Sequence, residues 1–116
     1  MSHTTEVQTE IKDMSVLEQA CAMIGASFLG HGNHTQYMST FTGVGVMLPG
    51  WTYPIVVDMD TGRVQQDNYN GRWGDIAELN KLTQRYAAEK IKFTLKKQNK
   101  RFTETTTADG NIEITF

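Results

Sequence analysis

DIAELNKLTQRYAAEKIKFTLKKQ, residues 75–98, is the stretch that decides the fold class. Asp75 stands where a helix wants its cap, and Glu78 follows three positions on, so the first free N–H groups of a helix find acceptors. From there Ile76, Leu79, Leu82, Tyr86 and Phe93 run down one face, and Ala87, Ile91 and Leu95 widen it. The polar side carries Lys81, Gln84, Arg85, Glu89, Lys92, Lys96 and Lys97, and lysines at the C-terminal end suit the helix dipole. One long amphipathic helix is expected here.

The flanks read mainly as strands. Beyond the helix, residues 101–116 predict a terminal hairpin of RFTETTT and NIEITF, joined through Ala108-Asp109-Gly110, an Asp-Gly turn. Ile112, Ile114 and Phe116 alternate, which predicts one buried face. Before the helix, YPIVVDMDTGRV predicts a hairpin, with Ile55-Val56-Val57, a turn at Asp60-Thr61-Gly62 and a return through Val64. LPGWTYP is a turn punctuated by Pro49 and Gly50. Upstream, ASFLG is a short strand and HGNH a turn. TQYMSTFTGVGVMLPG is the next strand region, with Tyr37, Met38, Phe41 and Val44 as burial points. Its Gly43 and Gly45 suggest a bend, a bulge or something packed close to the backbone. Residues 2–11 predict a strand with Thr5, Val7, Thr9 and Ile11 on one face. Residues 15–24 predict a short helix capped by Ser15 with Glu18, burying Leu17, Ala20, Cys21 and Ile24 and ending at Gly25. The expectation is a single small α+β domain spanning 1–116, an antiparallel sheet packed by one short and one long helix in the order β-α-β-β-β-β-α-β-β.

Composition narrows the classes of function. The chain has 116 residues, 39% hydrophobic and 21% charged, with a formal net charge of −2 and a pI near 5.9. That balance fits a globular domain and argues against a protein that lives on duplex DNA. No stretch approaches the roughly 18 apolar residues of a membrane helix. A lone Cys21 excludes an intrachain disulfide framework and fits a reducing compartment. With a polar, acidic start and no signal-peptide pattern, the cytoplasm is the expected location. For a phage-encoded protein that means the host cytoplasm.

The opening MSHTTEVQTEIKD, LTQRYA at 82–87 and the closing ADGNIEI resemble the chloroplast hypothetical reading-frame thirty-five family. This is a domain of unknown function with cyanobacterial, bacterial and tailed-phage relatives. The likeness covers nearly the whole chain. GHGNHTQY, WTYP and DNYNGRWGD look more like the phage branch. The resemblance implies a small cytosolic α+β domain and brings no agreed catalytic residues. It also hints at a AAA-type ATPase partner, because bacterial relatives are associated with genes for such enzymes.

Few residues offer catalytic chemistry. His31 and His34 form an H-x-x-H in a glycine-bearing segment, but a zinc site needs further ligands, and His3 and Cys21 lack motif spacing. No metal or cofactor is expected. Asp58 and Asp60 read as the polar start of a turn. GVGVMLPG lacks the third glycine and the following helix of a dinucleotide fingerprint, and no nucleophile elbow or phosphate loop is present. Lys90, Lys92, Lys96, Lys97, Lys100 and Arg101 read as a solvated basic face, and no RNP-type aromatic string accompanies them.

DNYNGRWGD, residues 67–75, is the candidate site. Trp51, Tyr53, Tyr69 and Trp73 supply faces on which a purine stacks. Arg72 and Arg85 offer forks for phosphate. Asn68 and Asn70, with Asp67, offer groups that read base or ribose edges. The loop also precedes a helix N-terminus, which favours an anion. A second reading has Trp51 and Trp73 capping the core and the loop merely turning the chain. The leading functional expectation is a non-enzymatic binding protein for a small ligand. Its sharpest form is a phage protein that sequesters a nucleotide-derived defence signal such as a cyclic nucleotide, in an intersubunit pocket of a homo-oligomer. The alternative is an adaptor subunit that binds a AAA-type ATPase or another protein.

Overall fold

The structure, a computed structural model, describes residues 4–116. The chain runs β1 (Thr5–Gln8), α1 (Met14–Ile24), β2 (Ser27–Thr35), β3 (Thr40–Met47), β4 (Ile55–Val57), β5 (Arg63–Gln66), a 3-10 turn (Tyr69–Gly71), α2 (Ile76–Lys97), β6 (Thr103–Thr106) and β7 (Ile112–Thr115). Strands β1 to β5 form one antiparallel sheet in the order β1-β5-β4-β3-β2, and β6 pairs with β7 in a second. This is the α+β order the sequence predicts. His3 and the start of the first expected strand lie outside the described residues.

Alternation along the strands sorts their side chains. Val44, Val57, Val64 and Val7 stand in one cross-strand row, with Val46 beside Ile55 in the next. All of these except Val7 join Leu17, Ala20 and Cys21 of α1 and Leu79, Leu82 and Tyr86 of α2 in the core. Each such aliphatic side chain contributes about 1.5–3 kcal/mol by leaving water.

Helix α1 begins earlier than expected. Its cap is Asp13, in an extended conformation, and not Ser15. Asp13 Oδ1 accepts from the backbone N–H of Ser15 at 3.1 Å and of Val16 at 3.3 Å. The Ser15 hydroxyl is the main influence holding the Asp13 carboxyl below its usual range. Gly25 ends the helix at φ 77°, as its position predicts.

The segment 27–47 departs most from expectation. HGNH is not a turn: β2 runs on to Thr35, with one register shift between Phe28 and Gly30, and the turn lies at Gln36–Ser39, closed by Gln36 N–H to Ser39 O at 2.8 Å. Glycine pairing explains it. Gly30 faces Gly45 and Gly32 faces Gly43. The missing side chains let the hairpin curl until the His34 ring lies over Gly45, where a Cβ would sit 2.5 Å from Cε1. A Cβ on Gly43 would sit 2.7 Å from the Val57 carbonyl oxygen. The tip is then pinned by Gln36, buried to 1% exposure. Its Nε2 donates to Pro54 O at 3.1 Å and Gln65 O at 2.9 Å, and its Oε1 accepts from Thr4. Tyr37 and Met38, expected to be buried, ride this turn and are exposed.

Helix α2 is capped by Asp75, whose carboxylate accepts from Ala77 N–H at 2.9 Å. Leu79, Leu82, Tyr86 and Leu95 are buried as expected; Ile76 and Ile91 are exposed because they lie off the arc that carries Leu79, Leu82 and Tyr86, and Phe93, on that arc but further along the helix, is also exposed. The hydroxyl of Tyr86 accepts from the N–H groups of Lys12 and Asp13 at 3.1 and 3.0 Å, fixing the entry to α1. The terminal hairpin is held to α2 by Arg85 and Lys92, which both reach Glu104, at 3.1 and 2.8 Å. Ile112 and Ile114 are half-buried, whereas Phe116, expected on the same buried face, lies past the last strand pair and is exposed.

Candidate functional site

The loop between β5 and α2 takes an unusual path. Tyr69, Asn70 and Gly71 have φ of 46°, 53° and 96°, three left-handed residues in succession. Glycine adopts this freely and asparagine tolerates it, but for tyrosine it costs about 1–2 kcal/mol. Two N–H groups, of Gly71 and Trp73, converge on Asn68 O at 3.0 and 2.9 Å, and Thr52 N–H donates to Trp73 O at 2.7 Å. The last bond ties the loop to the 48–54 turn.

Trp73 is the hub that these bonds place. Its ring stacks on Tyr69 at a centroid distance of 4.7 Å and 27°. It lies 5.0 Å from Tyr37 and meets Tyr53 edge-on at 5.3 Å. Each pair contributes about 0.5–1.5 kcal/mol beyond its burial. The guanidinium of Arg72 lies over Tyr69, 4.9 Å from the ring centre. Beside the cluster, Asn68, Asn70, Gly71, Asp75 and Ile76 line an open cleft of about 560 Å³.

The structure therefore brings Tyr53, Asn68, Tyr69, Asn70, Arg72 and Trp73 into one region. Trp51 sits differently: it belongs to the core at 6% exposure, covers Gly74, and donates its indole N–H to Asp75 O at 3.0 Å. Arg85 is committed to Glu89 at 3.3 Å and Glu104 at 3.1 Å. The helix N-terminus that would attract an anion already holds the Asp75 carboxylate. Two residues gain weight. Tyr37, 36 positions before Trp73, has no local signal of its own and enters only because Gln36 anchors the hairpin tip. Asp67 is 1% exposed and neither carboxylate oxygen has a hydrogen-bond partner, nor has Oε1 of the adjacent Gln66. Buried acceptors without donors are rare in folded proteins.

Other candidates resolve simply. His31 is exposed on β2, and His34 places Nε2 3.0 Å from Gly30 O. Among the described residues no group of three or more His, Cys, Asp or Glu could hold a metal ion. His3 lies outside them. Asp58 accepts from Asp60 N–H within its turn, at 2.9 Å. Burial, and to a lesser degree Glu18, pushes the Cys21 thiol up to about 11. Among the described residues no helix is long and apolar enough to cross a membrane. Comparison with protein-family models, with curated proteins and with solved structures finds no match for this chain.

Proposed function

We propose that the protein is a non-enzymatic binding protein whose 67–74 loop takes a nucleotide-derived small molecule. The observation that supports this best is the ring cluster with Arg72 at its edge: Tyr37 is 47% exposed and Tyr69 carries a guanidinium on its face. A base stacks on such a surface, and Arg72 swings from the ring to a phosphate. Asn68 and Asn70 present amide donors and acceptors to a base edge. Asp67 accepts from a ligand hydroxyl or amino group once the loop opens, which gives its unpartnered oxygens a use.

Charge narrows the ligand. Asp67 and Asp75 flank the loop and Arg85 is engaged elsewhere, so the loop itself brings one arginine and two acidic residues. A cyclic nucleotide, with one charge per phosphodiester, suits that balance better than a triphosphate. A second arginine from a neighbouring copy would complete the pocket in a homo-oligomer. For a phage-encoded protein, sequestration of a cyclic-nucleotide defence signal is the sharpest form of this reading.

Native mass spectrometry against a panel of cyclic and linear nucleotides tests it. The expected result is a stoichiometric adduct on the wild-type protein that is lost from folded Arg72→Ala and Tyr37→Ala variants. A clean apo spectrum across the panel refutes the reading, as does an adduct that survives both substitutions. A second reading, an adaptor for a AAA-type ATPase, is favoured by Phe116 and Phe93, exposed at 74% and 37%, the latter with Lys90 and Lys97 over its ring. Direct binding to such an ATPase that survives Arg72→Ala and is lost on Phe116→Ala would support it.

A further inference from the structure

We propose that β1 and α2 together form a self-complementary face on which a second copy of this chain docks about a two-fold axis. This face meets the aromatic loop's cleft only at Ile76, which borders both. A groove of about 1020 Å³ runs between β1 with the residues after it and the exposed flank of α2. β1 is an edge of the sheet, and among the described residues no strand pairs with its outer side.

The backbone direction of that edge follows from one bond. Thr9 N–H donates to Gly62 O, continuing the register that pairs Val7 with Val64. Thr5, Val7 and Thr9 therefore aim their backbone groups at β5. By alternation, Glu6 and Gln8 aim theirs outward. A second β1 laid antiparallel has two short registers to choose from. A two-fold at Glu6 sets two carboxylates face to face on the outer side of the sheet. A two-fold at Val7 sets Val7 on Val7, Glu6 opposite Gln8 and Thr5 opposite Thr9. In that register the hydrogen-bonded pair is the Glu6–Gln8 pair, whose backbone groups already point outward. A charge on an edge strand ordinarily discourages pairing, but Glu6 is drawn onto Arg63 at 3.2 Å.

The helix agrees with the strand. Ile76, Asn80, Thr83, Ala87 and Ile91 fall within one narrow arc at helical spacing and all border the groove. Ile76 and Ile91 are 42% and 47% exposed. Set antiparallel to its own copy, this stripe places Ile76 on the partner's Ile91 and Asn80 by the partner's Ala87. Strand register and apolar stripe both accept an antiparallel copy about a two-fold axis. That is what an isologous interface requires, and it selects a second copy over an unrelated protein.

Light scattering on the purified full chain reads the outcome, with Ile76→Glu and Ile91→Lys as probes. Both positions are exposed in the single chain, and circular dichroism confirms the fold. Ala87→Arg on the same stripe is the substitute where either fails to fold. The wild type is expected at twice the chain mass or an even multiple of it. Each variant alone is expected to lose the pairing, with a dissociation constant raised at least about 100-fold. An equimolar mixture is expected to pair again, because one Glu then meets one Lys while the other contact stays Ile on Ile. Wild type at the mass of one chain, or at an odd multiple, overturns the proposal. Variants that keep the wild-type mass overturn the interface, and a mixture that stays unpaired overturns the antiparallel arrangement. None of these outcomes depends on whether a nucleotide binds.

Discussion

Gly74→Ala is a single-methyl change whose effect can be worked out from the structure. The new Cβ would stand 2.5 Å from Trp51 Cε2 and 2.6 Å from Cγ, where ordinary contact needs about 3.5–4 Å. Gly74 does not have a positive φ, so the backbone itself accepts alanine. In the unfolded chain alanine is even favoured, by about 0.4–1 kcal/mol. Against that stand about 1–3 kcal/mol for forcing a buried ring aside and about 0.5–1.5 kcal/mol for losing the indole bond to Asp75 O. The expected net loss is about 2 kcal/mol, roughly a 1 M fall in urea midpoint at an unchanged slope. The control is Trp51→Leu, which itself costs about 3 kcal/mol but makes room. On that background Gly74→Ala should be neutral or slightly stabilising, a coupling of about 2 kcal/mol. Urea titrations of the four proteins by far-UV circular dichroism give the cycle. Equal losses on both backgrounds would show that the Trp51–Gly74 contact is not what requires glycine.

Three further outcomes are expected. Tyr86→Phe leaves the N–H groups of Lys12 and Asp13 without their acceptor and should cost about 1–3 kcal/mol in urea unfolding; a neutral result would mean water replaces the hydroxyl. Hydrogen bonds from Lys92 and then Arg85 hold the Glu104 carboxyl below its ordinary 4.5, and although burial opposes it, Glu104 and Glu89 hold Lys92 above 10.5. A lowered acid stabilises above its unfolded value and loses that as pH falls through its folded one; a raised base stabilises below its unfolded value and loses that as pH rises through its folded one. The β6–β7 hairpin should therefore stay docked between those limits and loosen first in acid, seen as loss of hydrogen-exchange protection in 103–115 before the main sheet; simultaneous loss in both sheets would refute this. Cys21, buried with its thiol pushed up to about 11, should react with a disulfide reagent at pH 8 only as fast as the protein opens. Labelling at the rate of a free thiol in the native state would contradict its placement.

What the sequence disclosed was mostly local. Asp75, the 3.6-residue periodicity behind Leu79, Leu82 and Tyr86, and Gly25 mark both helices because caps and periodicity act within a few residues. The error at HGNH has the opposite origin. Glycine and asparagine signal a turn when considered alone, yet Gly30 and Gly32 sit in a strand because Gly45 and Gly43 stand across from them. The site divides the same way. Asn68, Tyr69, Asn70, Arg72 and Trp73 were legible as one loop. That Tyr37 joins them, that Trp51 belongs to the core and that Arg85 serves Glu104 all depend on contacts between distant segments. No periodicity encodes those.

The three left-handed residues at 69–71 bear on how readily the loop opens to a binding partner. An ordered loop usually gives up contacts when it opens and gains only entropy in return. Here Tyr69 also relaxes from a left-handed backbone state that costs it about 1–2 kcal/mol. That recovered strain offsets part of the loss when Tyr69 unstacks from Trp73. The closed loop behaves like a latch under tension. The strain tilts the balance toward opening while the ring and backbone contacts keep the closed form ordered.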